Sequence, residues 1–106
     1  MDLERLFTAG LWTVRQGKAS EFIALWKAFA EWSMEQGLGH GDAYLLQDQA
    51  NPHRFLSFSG WDSPDRIEAW RSRPEFQTFS AKARDLCEAF EPMTMETTAK
   101  VRADRG

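Results

Sequence analysis

The sequence predicts a single α+β domain over residues 1–106, with a four-stranded antiparallel sheet and its helices on one face. Strand-like alternation and helical spacing follow one another in the order strand, helix, strand, strand, helix pair, strand. The chain contains no internal repeat, low-complexity run or linker, and its length is ordinary for one domain. The economical arrangement of these elements is the split β-α-β unit taken twice.

The first strand is predicted over residues 6–15 and ends at the Gln16-Gly17 break. Large apolar side chains fall on both of its faces, with Trp12 on one and Phe7 on the other. A strand that is apolar on both faces needs cover on both sides.

A long helix is predicted over residues 18–36, because large apolar side chains recur there at helical spacing. Gly37 is predicted to cap its C-terminal end. The apolar stripe of this helix consists of Phe22, Ile23, Trp26, Phe29 and Ala30.

Two further strands are predicted over residues 42–47 and 54–61. The segment 49–53 between them contains Asn51 and Pro52, which favour a turn. The two strands are therefore expected to pair antiparallel across a short loop.

Residues 60–76 are the most informative stretch of the chain. Ser63 is a capping residue and Pro64 suits the first turn of a short helix that ends near Trp70. Pro74 is expected to open a longer helix, whose apolar stripe is Phe76, Phe79, Ala83, Leu86, Cys87 and Phe90. Pro92 is expected to stop that helix, and the last strand is predicted over residues 94–101.

Helices on one face leave the other face of the sheet bare, although its strands are apolar on that side as well. A second copy of the chain is the simplest cover for such a face. We therefore expect a homodimer joined through the open face of the sheet.

Composition excludes several classes of protein. The formal net charge of −3 argues against a nucleic-acid partner, which would require a basic face. The single cysteine, Cys87, rules out an intrachain disulfide and a multi-cysteine metal site. No signal-peptide pattern and no run of 18 apolar residues is present, so we expect a cytoplasmic protein with no membrane partner.

From residue 6 to residue 101 the chain resembles the antibiotic biosynthesis monooxygenase family of the dimeric α/β-barrel proteins. The resemblance is carried by the element order, by the turn at Gly17 and above all by the stretch from Trp61-Asp62-Ser63 to Phe76. It implies a ferredoxin-like βαββαβ fold, a homodimeric α/β barrel and one pocket per subunit between sheet and helices. It also implies oxygenation of a small aromatic or quinol-type substrate without metal, flavin or any other cofactor.

A related branch of this family binds and degrades haem. Its pattern has an Asn on the first strand, a Trp on the short helix and a His ten residues after that Trp. Trp70 matches the Trp, but Ser80 stands at the His position and the first strand contains no Asn. Because haem needs an axial ligand, haem degradation is not expected here.

Oxygenation without a cofactor needs a base or a hydrogen-bond partner and dry apolar walls. His40 is the candidate base, because imidazole titrates near neutrality, and Tyr44 is the candidate hydrogen-bond donor. Arg71 or Arg73 is a candidate partner for a phenolate. For each of these side chains, an ordinary solvated or packed residue is the alternative.

The candidate substrate-binding residues are large aromatic side chains on the inward faces of the predicted elements, where they would either line a pocket or fill the core. They are Trp26, Phe29, Trp61, Trp70 and Phe76. If they fill the core, the chain is a non-catalytic dimeric protein that binds a small ligand or acts in a stress response.

Overall fold

The computed structural model describes residues 5–39 and 41–103. The elements are β1 Leu6–Val14, α1 Ala19–Glu35, β2 Ala43–Gln47, β3 Arg54–Trp61, α2 Pro64–Arg71, α3 Pro74–Asp85 and β4 Cys87–Glu96. The strands form one antiparallel sheet in the order β2-β3-β1-β4, and the sheet is not closed. The predicted ferredoxin-like fold, with its helices on one face, is thereby confirmed. Within the described ranges, no helix is long and apolar enough to cross a membrane.

The strand β1 lies in the middle of the sheet and places Trp12 at the centre of the core. Trp12 is opposite Phe55 of β3 and Phe90 of β4. Its indole stacks on Phe90 with 3.9 Å between ring centroids. Since residues that face each other across a ladder project from the same side, all three rings meet the helices.

The core between sheet and helices is mainly aromatic. Phe22 of α1 is fully buried, and its ring lies 5.1 Å from Trp12 and 5.3 Å from Phe55. The fully packed cluster consists of Trp12, Val14, Phe22, Phe55, Phe79, Ala83 and Cys87. This cluster occupies one end of the helix-covered face and leaves the other end less densely filled.

The short helix α2 begins as its sequence predicts. Ser63 Oγ accepts a hydrogen bond from the backbone N–H of Arg66, and Pro64 occupies the first helical position. The Arg66 side chain then donates to the carbonyl oxygen of Gly37 at 2.7 Å. Gly37 follows α1 with a φ of +69°, the left-handed conformation typical of a residue just past a helix end. The start of α2 is therefore tied to the end of α1.

The predicted end of α3 and the predicted bounds of β4 are wrong. The helix ends at Asp85, whereas its apolar stripe appeared to continue through Cys87 to Phe90. The last strand is Cys87–Glu96 and replaces the prediction of residues 94–101.

A β-bulge accounts for the error. Thr13 pairs with Ala89, but its neighbour Val14 pairs with Cys87, so Glu88 is an extra residue in β4. The extra residue brings Cys87 and Phe90, three positions apart, onto the same face of the strand. A separation of three residues on one face imitates a helical period. Pro92 is tolerated because β4 is an edge strand, where the ladder does not require every N–H.

The face of the sheet away from the helices is apolar. Three large side chains on it are about half exposed: Tyr44 at 49%, Leu46 at 47% and Met95 at 52%. Phe58 stacks on the Tyr44 ring at 5.2 Å and lies 6.4 Å from Phe7. The apolar character predicted for both faces of the strands is therefore present in the structure.

Candidate functional site

A cavity of about 440 Å³ lies between the sheet and the helices. Its floor is formed by the helix-side residues of β1 and β3, which alternate large rings with small hydroxyl groups. These floor residues are Thr8, Gly10, Trp12, Ser57, Ser59 and Trp61. The volume is suitable for a small organic ligand.

The walls of the cavity are aromatic rings from all three helices. Phe29 of α1 stacks on Phe79 of α3 with 4.2 Å between centroids and an interplanar angle of 4°. Trp70 of α2 lies 4.9 Å from Trp61 and makes an edge contact with Phe76 at 4.7 Å. These contacts hold the rings in place, so a flat aromatic ligand would meet walls that are already ordered.

Three tryptophans of the site have their indole N–H groups satisfied by hydroxyl groups. The N–H of Trp12 donates to Ser57 Oγ, that of Trp61 to Thr8 Oγ1, and that of Trp70 to Ser33 Oγ. All three distances are 2.9 Å. A buried indole N–H needs such a partner, and its orientation is fixed once the bond is made. The indoles therefore present carbon surface and ring faces to the cavity.

The hydroxyl groups of the site differ in whether they can still donate a hydrogen bond to a ligand. The Ser33 hydroxyl donates a hydrogen bond to the carbonyl oxygen of Phe29 at 2.9 Å. Thr8 and Ser59 share a hydrogen bond of 3.2 Å between their hydroxyls. Within residues 5–39 and 41–103, the Ser57 hydroxyl accepts from Trp12 and has no acceptor for its own proton. Ser57 is therefore able to donate a hydrogen bond to a ligand on the cavity floor.

Gly10 keeps the floor open beneath these groups. A Cβ atom at this position would lie 2.8 Å from a ring carbon of Phe90 and 2.9 Å from Trp12 Nε1. Those separations are too short for ordinary contact, so any side chain would displace the indole that donates to Ser57. Gly10 thus permits the Trp12–Ser57 hydrogen bond.

Charged groups of the cavity are arginines. Arg71, the last residue of α2, lines the cavity and donates to Thr94 Oγ1 of β4 at 2.9 Å. Arg84, in the last turn of α3, also lines it. No aspartate, glutamate or histidine contributes to the lining in the part of the chain that the structure describes.

All five residues predicted to bind substrate line the cavity: Trp26, Phe29, Trp61, Trp70 and Phe76. Their placement agrees with the sequence-based expectation, and their role in binding stays a prediction. Of the two candidate arginines, Arg71 lines the cavity. Arg73 instead lies over the Trp32 ring, with its guanidinium carbon 5.3 Å from the ring centroid.

Of the two candidate catalytic residues, the structure describes Tyr44. Tyr44 lies on the open face of the sheet, where its ring stacks on Phe58, and does not line the cavity between sheet and helices. His40 is outside the described residues. Its neighbour Gly39 lines the cavity, and the N–H of Gly41 donates to the carbonyl oxygen of Gly60.

Sequence reasoning missed the hydroxyl partners of the tryptophans, Thr8, Ser33 and Ser57. A usable signal exists for two of them, because each alternates with a large ring along a strand face predicted to be buried. A small hydroxyl residue on such a face, in a chain with five tryptophans, is a candidate acceptor for an indole N–H.

Haem ligation would require an axial ligand from the cavity lining. Ser80, at the position of the haem-branch histidine, lines the cavity. None of the described lining residues is His, Cys or Tyr, and the haem ligand types that remain in the lining are the methionines Met34 and Met93. Across the described ranges, no group of three His, Cys, Asp or Glu side chains is placed to hold a metal ion.

Cys87 belongs to the core and not to this cavity. Burial raises the pKa of its thiol to about 11, an effect partly opposed by the positive charge of Arg15. A thiol with a raised pKa is a poor nucleophile at neutral pH.

Solved structures of similar fold include a mutant of SnoaB, a cofactor-independent oxygenase from Streptomyces nogalater. It has a TM-score of 0.84 and 17% identity, over 94% of this chain and 99% of that one. A putative antibiotic biosynthesis monooxygenase from Chloroflexus aurantiacus has a TM-score of 0.73 and 24% identity, over 92% and 96%. Another from Nitrosomonas europaea has a TM-score of 0.76 and 15% identity, over 92% and 94%. These likenesses show a shared fold.

No curated protein matches the chain at a significant level. The family model described as antibiotic biosynthesis monooxygenase matches residues 6–82, which include β1 through most of α3. The matched range contains Trp61, Trp70 and the floor of the cavity. On this match, the chain belongs to the antibiotic biosynthesis monooxygenase family.

Proposed function

We propose that the protein is a cofactor-independent monooxygenase that binds a small aromatic or quinol-type substrate in the cavity between sheet and helices. The observation that carries the proposal is the set of three indole–hydroxyl pairs, which leaves ring faces as the cavity walls. Family membership and the fold shared with SnoaB, a cofactor-independent oxygenase, support the same reaction class.

The reaction class makes defined demands on the site. The substrate loses two hydrogens and gains one oxygen atom of O₂, and the second oxygen atom leaves as water. All electrons come from the substrate, which first loses a phenolic proton. Aromatic walls exclude water from the reactive intermediate, and Ser57 is the proposed donor to the phenolate oxygen.

The proton acceptor in this proposal is His40, on the sequence argument that imidazole titrates near neutral pH. Tyr44 is assigned no step, because its ring lies on the open face of the sheet against Phe58. A His40→Ala variant should therefore lose turnover and retain binding of the substrate. Loss of binding and turnover together would instead indicate a structural role for His40.

The test is oxygen consumption by metal-free protein supplied with a panel of hydroquinones and naphthohydroquinones. Turnover above the uncatalysed rate is expected in air and no product is expected under argon. Ala30→Phe should abolish it, since Ala30 lines the cavity, whereas Ala28→Phe on the exposed side of the same helix should not. Equal rates with and without protein across the panel would remove the basis for an oxygenase.

A second function is favoured by one observation. The described lining contains no carboxylate or imidazole, so a non-catalytic protein that binds a small aromatic ligand fits the same cavity. It predicts ligand binding that Ala30→Phe abolishes, with no oxygen-dependent product from any quinol. The two functions are thus separated by turnover and not by binding.

We further propose that the open face of the sheet is covered by a second copy of the chain, which would complete a dimeric α/β barrel. Half-exposed Tyr44, Leu46 and Met95 support this, because a contiguous apolar face of this kind is unfavourable in water. A two-fold axis would pair the same surface on both copies.

A further inference from the structure

The cavity has chemically different sides. On the α1 side the lining is apolar and includes Trp26, Phe29 and Ala30. Toward α2, α3 and the edge strand β4, it includes half-buried Arg71 and exposed Arg84. A ligand that fills this space would therefore meet aromatic surface on all sides, and positive charge only toward α2 and α3.

These two cations differ from other arginines of the same helical region. Arg66 and Arg73 are not part of the cavity lining and pair with carboxylates, at 3.3 Å to Asp62 and 3.8 Å to Glu75. Neither cavity arginine has a carboxylate within salt-bridge distance in residues 5–39 and 41–103. Arg71, which is half-buried, has the neutral hydroxyl of Thr94 as its hydrogen-bond partner.

An unpaired guanidinium beside apolar walls is a specific recognition feature. Arginine stays charged at all working pH values, and its planar fork matches the two oxygens of a carboxylate. Partial removal from water at half-buried Arg71 strengthens its attraction to an anion that enters the cavity, whereas exposed Arg84 adds a weaker, screened attraction. Since the described lining has no acidic side chain, an anionic ligand would be the group that supplies a counter-charge to Arg71 and Arg84.

We propose that the ligand of this protein is an aromatic ring that bears a carboxylate, with the ring between the aromatic walls and the carboxylate against Arg71 and Arg84. That the ligand contains an aromatic ring rests on the proposed function. That it bears a carboxylate rests on the two arginines alone. Ser57, on the floor, remains free for the reacting oxygen of the same molecule.

The test compares two unreactive probes of nearly equal shape, 2-naphthoate and 2-naphthamide, by isothermal titration calorimetry at pH 7.5. About tenfold tighter binding of naphthoate is expected from charge-assisted hydrogen bonds at a partly solvated site. Arg71→Gln and Arg84→Gln should each reduce that ratio, and the double variant should bring it close to one. Arg54→Gln, an exposed arginine outside the cavity, should leave it unchanged.

The outcomes separate this inference from the proposed function. If both probes bind with equal affinity, the cavity accepts aromatic rings but the carboxylate inference is overturned. The same holds if the preference for naphthoate survives in the double variant. If neither probe binds, the aromatic site itself fails and the inference falls with it.

Discussion

The indole N–H of Trp70 donates a hydrogen bond to Ser33 Oγ at 2.9 Å, and this contact joins α2 to α1 beside the cavity. Ser33 is buried, with 5% of its surface exposed, and its hydroxyl donates a hydrogen bond to the carbonyl oxygen of Phe29. One hydroxyl therefore fixes the orientation of the Trp70 ring and links it to the helix that carries Phe29. The shape of this part of the cavity wall therefore depends on the contact between these two side chains.

Replacement of Ser33 by alanine leaves the Trp70 N–H without its acceptor. Because Trp70 is only half-buried, water can partly replace the lost partner, so we expect the free energy of unfolding to fall by about 1 kcal/mol. The measurement is urea denaturation followed by tryptophan fluorescence. Ser20→Ala, on the exposed face of α1, is the matched control and should be nearly neutral. Equal effects at the two serines would show that the hydrogen bond contributes little.

A larger effect is expected on the cavity floor. Trp61 is 2% exposed and donates to Thr8, which is 8% exposed, so water cannot replace the acceptor in a Thr8→Val variant. An unsatisfied buried donor costs about 1–3 kcal/mol, and we expect this variant to lose more stability than Ser33→Ala. Thr13→Val places the same substitution on the opposite face of the same strand and is the control. The prediction fails if both valine variants unfold at the same urea concentration.

The fold was predictable where local signals agreed with the final packing. The strand Arg54–Trp61 has the predicted bounds, and α2 starts at Pro64 behind its Ser63 cap, because alternation and capping are encoded within a few residues. The end of α3 was not predictable in this way. The bulge at Glu88 depends on pairing with β1, about 75 residues away, and no local pattern reports it.

The same distinction applies to the site. The aromatic residues of the cavity were predictable, since size and helical or strand phase place Trp70 and Trp61 on inward faces. The hydroxyl that each indole meets was not, because Ser33 and Trp70 are brought together only by the packing of α2 on α1. Arg71 and Arg73 are two positions apart in the sequence. Arg71 lines the cavity, whereas Arg73 lies over the Trp32 ring, and the sequence alone does not distinguish the two.

The proposed dimer makes its own prediction. A double variant with Tyr44→Lys and Leu46→Lys would bury charge in an interface at the open face, so it should be monomeric. Light scattering coupled to size-exclusion chromatography at micromolar concentration gives the masses, with a dimer expected for the unaltered protein. Ile23→Lys alters an exposed apolar residue on α1 instead and should stay dimeric. A monomeric unaltered protein would contradict both the dimer and the closed barrel.

The buried thiol of Cys87 should make stability depend on pH in the alkaline range. Its pKa is raised from 9.0 to about 11 in the folded protein by burial, so the unfolded chain loses this proton first as pH rises. The stabilising contribution is complete below pH 9 and is lost progressively toward pH 11, by about 1 kcal/mol at pH 10. Urea denaturation between pH 7 and pH 10.5, compared with Cys87→Ala, isolates this contribution from the titration of lysines. Parallel curves for the two proteins would mean that the thiol is not shielded from water, and rapid reaction of native Cys87 with a thiol reagent at pH 8 would show the same.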